Sequence, residues 1–164
     1  MNMMDTKRSY WTIAFIVVIA VTALVATGLI GVRERQVQWD EPEVTRRLNN
    51  EAWRKYLADS PAASQQSQGG VDGHRTQRRI FLGNEIARMM ADHQFRQGKF
   101  TTLPQSIQAG LMEAIAHWGD TTGQNAPDPL PQDAKVELIR TGKGQLALIV
   151  TTGMQRFAVQ TAEY

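Results

Sequence analysis

Between Ser9 and Val32 the chain carries no charged residue. The 22 residues from Trp11 to Val32 are almost wholly apolar. As a helix they would extend about 30 Å, the hydrocarbon thickness of a bilayer. Thr12, Thr22 and Thr27 interrupt the run, but a helix can return a threonine hydroxyl to its own backbone carbonyl. Tyr10 and Trp11 stand at one end, where amphipathic rings favour the interface. The pattern predicts a short tail over 1–10 and a single transmembrane helix over 11–32, with the lipid bilayer as its partner.

A cleavable signal peptide is the competing reading. Lys7 and Arg8 would supply its basic start, and Ala26-Thr27-Gly28 a small-residue cleavage site. The apolar run is longer than such a peptide needs and continues through Leu29 and Ile30. It reads better as an anchor that stays. Lys7 and Arg8 on one side face Arg33, Arg35, Arg46 and Arg47 on the other, so the positive-inside count taken alone leans towards a cytoplasmic domain. The brief N-terminal tail is the layout of a signal anchor and points the other way. The expected location is the bacterial inner membrane, with the C-terminal domain in the periplasm.

Past residue 32 there is length for one small domain. Net charge is +2 with the two signs mixed, which gives no basic block for nucleic acid. The absence of cysteine excludes disulfides, thiolate metal sites and cysteine nucleophiles.

The segment 33–58 is expected to be juxtamembrane and to hold an amphipathic helix over 40–58. Asp40 suits its N-cap, Pro42 its first turn, and Glu41 and Glu43 its positive end. Val44, Leu48, Ala52 and Tyr56 recur every four residues. This stripe can seal the domain, pair with a partner helix, or lie on the membrane. Residues 59–76 are rich in Ser, Gln and Gly and nearly free of large apolar groups. Composition predicts a flexible linker there.

A small α+β domain is expected over 77–164. A first helix is predicted over 77–97 with Gly98 beyond its end, and a second opens at Thr102-Leu103-Pro104. Ile107, Leu111, Ile115 and Trp118 form the stripe of the second. The short connection predicts an αα-hairpin. Pro127, Pro129 and Pro131 forbid a helix in between. The period then changes to two, and 135–141, 145–152 and 156–161 read as a three-stranded antiparallel meander. Its turns fall at Gly142-Lys143-Gly144 and Gly153-Met154-Gln155. The hairpin is expected to pack on the meander, because a lone meander is not independently stable.

Chemistry-bearing residues form no convincing set. Glu113 and His117 share a helix face, and Asp92 and His93 stand at the end of the preceding helix. In an antiparallel hairpin these two ends lie apart, so the histidines read as groups complementing helix C-termini. His74 falls in the linker and is expected to be solvated. Gly142-Lys143-Gly144 lacks the spacing and following helix of a phosphate loop. Ser106 reads as a first-turn residue, and no nucleophile motif surrounds it. Arg75, Arg78 and Arg79 cluster at an expected helix start, where the dipole disfavours cations; a partner acid or solvent must compensate. No catalytic, cofactor-binding or metal residue is assigned.

The expected function is therefore non-enzymatic: a bitopic membrane protein whose head, or whose 40–58 helix, binds other proteins, with no small-molecule substrate. Component parts of pilus-biogenesis, conjugation or secretion machines have this layout, an analogy of architecture alone. A phage or plasmid envelope protein for lysis or exclusion, or a membrane-anchored hydrolase, are the alternatives.

Overall fold

The computed structural model describes residues 37–118, 125–142 and 144–160, without the side chains of 116–118, 159 and 160. The predicted tail and the predicted spanning helix at 11–32 lie outside these residues. Among the described residues no helix is long and apolar enough to cross a membrane.

Helix α1 runs Glu41–Leu48, with Asp40 as N-cap and Pro in its first turn. The single amphipathic helix expected over 40–58 is in fact two. Asn49 closes α1 in an extended conformation, and its side chain caps α2, Asn50–Asp59, by accepting from the Ala52 N–H at 2.9 Å. An Asn that prefers caps to helix interiors explains the break. The apolar stripe turns inward: Val44, Leu48 and Trp53 belong to the same core as the downstream helices and strands.

The expected linker also differs from the structure. Pro61–Ser67 form α3, and α4 begins at Val71 rather than Gln77 and runs to Asp92. Composition missed this because the order comes from tertiary contact. Ala63 is buried, the Gln77 side chain donates to that of Gln66, and α3 packs on α4. Gly73 permits the approach, since a Cβ there would collide with the Gln66 carbonyl. Gly70, at φ 93°, makes the turn between the two. The described residues belong to one compact unit, Gln36–Tyr164.

The αα-hairpin with a short connection is likewise corrected. Helix α4 stops at His93 because Gln94 adopts a left-handed φ of 55°, and Phe95 then donates back to the Met90 carbonyl at 2.8 Å. Gly98, expected directly after the helix, follows its end by several residues and lies in a strand, β1, Gln97–Lys99. A 3₁₀ turn at Phe100–Thr102 leads into α5, Gln105–Trp118. A strand of three residues carries no readable period, so the sequence shows a loop where there is a fourth strand.

The remaining strands fall close to expectation: β2 Lys135–Arg140, β3 Leu146–Thr152 and β4 Gln155–Gln160. The fold is α+β, with a four-stranded antiparallel sheet in the order β1-β2-β3-β4. Leu148 pairs with Val159 and Val150 with Phe157, the matching that alternation predicts. Helices α4 and α5 pack together and on the sheet. Gly110 lets them close, as a Cβ would stand 2.9 Å from Ile86 Cδ1. The face they cover holds Val136, Leu138, Leu148, Val150 and Phe157, all buried.

Candidate functional site

The residues singled out for chemistry are placed apart, and most have structural partners. His93 Nδ1 lies 2.9 Å from the Met89 carbonyl, and its ring stands 5.0 Å from that of Trp39. It completes the end of α4, as expected of a histidine there. His74 is exposed, in line with the solvated expectation, but it lies on α4 rather than in a linker and meets the Trp53 ring edge-on at 5.6 Å. The side chain of His117 lies outside those described, so its pairing with Glu113 does too. Among the described residues no group of three or more His, Asp or Glu could hold a metal ion.

Arg78 is the member of the basic cluster with a defined setting. Its guanidinium lies 5.9 Å from the Trp53 ring centre and 5.5 Å from that of Phe81. Nη2 donates to the Leu48 carbonyl at 3.1 Å, and Nε stands 3.9 Å from Glu113. Burial pushes its pKa below the usual arginine value, and Glu113 opposes that shift. Because α4 starts at Val71, Arg78 is two turns into the helix, where the dipole penalty at a helix start no longer applies. With Tyr56 stacked on Trp53 and Phe81 alongside, this is a structural seam between α2 and α4. Ser106 is half-buried at the start of α5, and its hydroxyl has no hydrogen-bond partner.

A second seam joins α1 to α4. Arg47 donates to Glu85 at 3.1 Å and to Asp92 at 3.1 Å, and Arg88 donates to the other oxygen of Glu85. Burial lowers the Arg47 pKa, but its bonds to Asp92 and Glu85 outweigh this and hold the net shift upward. Two bridging acids seven positions apart on α4, with one arginine across from them, have no signal in a single sequence.

What remains open is the outer face of the sheet. Residues opposite one another in register project to the same side. One row is Lys99, Lys135, Thr151 and Arg156, and the next is Gln97, Glu137, Ile149 and Ala158. A third contains Ile139 and Ala147. No described helix packs on this side, and Ile139 is 37 % exposed. The turn between β3 and β4 puts Gly153 at φ 56° and leaves Met154 96 % exposed. Alternation along β2 and β3 already assigns Lys135, Glu137, Ile139 and Ile149 to one face. Lys99 escapes that reading because β1 does. No protein-family model, curated protein or solved structure matches the chain.

Proposed function

We propose that the chain is a single-pass membrane protein whose α+β head binds other proteins and performs no catalysis of its own, serving as a structural or assembly component of a bacterial envelope machine such as a pilus-biogenesis, conjugation or secretion system. The uncharged run over 11–32 supports the anchor, and the expected side for the head is the periplasm. The observation that carries the binding role is the outer sheet face, where Ile139, Ala147 and Ile149 stand on neighbouring strands with no described helix over them. The apolar stripe of 40–58 supports it less well, because Val44, Leu48 and Trp53 are used in the head's own core.

Deleting 40–58 would therefore remove core residues and confuse unfolding with lost binding. The better test is the full chain in mild detergent carrying Ile139→Glu and Ile149→Glu, exposed or half-exposed positions. Partners are identified by covalent crosslinking in the native membrane followed by co-purification. The reading expects a defined partner with the unaltered chain and its loss in the double variant at unchanged stability. A protein recovered as a lone monomer in both cases would contradict it. A reporter fused after Tyr164 tests the side of the membrane.

A further inference from the structure

The end of the sheet at the β3–β4 turn combines two features. Lys99, Lys135 and Arg156, from three different strands, align in one row on the outer face. Thr152 pairs with Gln155, so a single residue pair separates that row from the turn bearing Met154. A fully exposed methionine is thus held at a hairpin tip beside a line of cations. The acids nearest in sequence and register are Glu137, one row inward, and Asp133, which precedes β2.

We infer that this end of the sheet docks on an anionic lipid surface, with Met154 at the interface and Lys99, Lys135 and Arg156 against phosphate-bearing headgroups. Each basic residue near such a surface gains attraction from its negative potential, and an apolar tip adds burial at the headgroup level. An acidic protein segment would satisfy the cations but leave the methionine without a purpose. A lipid interface accommodates both. The remaining apolar row, Ile139 and Ala147, lies towards the opposite end of the strands and stays available to a protein. The inference rests on the membrane-anchored reading above.

Since the chain has no cysteine, one introduced at Met154→Cys can carry an environment-sensitive fluorophore at that site alone. The full chain is reconstituted in vesicles of phosphatidylcholine, or of phosphatidylcholine and phosphatidylglycerol in equal parts. The expected result is a blue-shifted label quenched by lipid-borne nitroxide in the anionic vesicles only. The effect should weaken about fivefold for each of Lys99→Gln and Lys135→Gln, and in high salt. A label at Gly142→Cys, in the turn at the other end, should stay water-like. Unchanged circular dichroism shows that the variants remain folded.

Equal response at 154 in both vesicle types, or at 142 as well as 154, overturns the inference. So does a response in neutral vesicles that appears only with added polyglutamate, which assigns the row to an acidic protein, or only at high protein density, which assigns it to a second copy. Alkaline wash separates the two levels. Retention of the chain with a water-exposed label overturns docking alone, whereas release from the vesicles removes the anchor reading as well.

Discussion

The two sides of the sheet are built from the same strands and have opposite chemistry. On the covered side Val136, Leu148, Val150 and Phe157 are fully buried beneath α4 and α5. On the other side their immediate neighbours are Lys135, Glu137, Ile149 and Arg156, exposed or half-exposed. One residue of offset along a strand thus separates groups buried in the core from groups at the surface. The sharpest way to break this division is to truncate one residue on each side. Phe157→Ala should destabilise the head by about 3–5 kcal/mol, because it leaves a cavity beneath packed helices. Ile149→Ala on the outer face should cost less than about 1 kcal/mol. Denaturant unfolding of the full chain in detergent measures both, and equal losses would mean that the outer face is covered too.

The helical layer can be tested at its tightest approach. Gly73→Ala gains about 1 kcal/mol in helix propensity but forces a Cβ into the Gln66 carbonyl. Overpacking against backbone typically costs about 1–3 kcal/mol, so the net effect should be destabilising. A net gain would mean that α3 yields freely, as a linker would. Hydrogen exchange over 61–67 distinguishes the two outcomes.

That segment also shows where the sequence was legible. The three longer strands and the α5 stripe could be read because each repeats a clear period over several residues. Asp40 and Pro42 marked the start of α1 by local chemistry that needs no tertiary context. By contrast, α3 has one buried side chain, Ala63, and β1 has three residues, so neither offers a pattern. Both are held by contacts outside the segment itself: α3 by Gln77 and Gly73 on the next helix, β1 by pairing with β2. The end of α4 was misplaced for a related reason, since Gln94 took the left-handed conformation that Gly98 would adopt more readily. At the outer face, alternation revealed the β2 and β3 residues. The cationic row appeared only when the register brought Lys99 beside Lys135.

Arg47 sharpens the comparison from the covered side, because it ties α1 to α4 at the surface rather than in the core. Arg47→Ala should cost about 1 kcal/mol, since Glu85 and Asp92 are left without their shared cation but remain partly solvated. The loss should shrink in high salt, as screening weakens the pair in the unaltered chain. Phe157→Ala should show no such salt dependence. A salt-independent loss at Arg47 would assign its role to packing of the side-chain stem instead.

The smallest effect expected is a pH dependence confined to the helical layer. Tyr56 is stacked on Trp53 at 5.6 Å, and burial raises its pKa above the ordinary tyrosine value of 10.0, with Arg88 opposing. Burial disfavours the phenolate, so the folded state holds the proton more tightly than the unfolded state. Stability from this group is then fully present below the unfolded pKa and is lost as pH rises through the folded one. The phenolate absorbance of Tyr56 should emerge later than that of a free tyrosine, and the unfolding midpoint should decline over the same alkaline interval. Tyr56→Phe should remove that part of the decline while keeping the ring stack. If the decline persists unchanged in Tyr56→Phe, the alkaline sensitivity arises elsewhere in the protein.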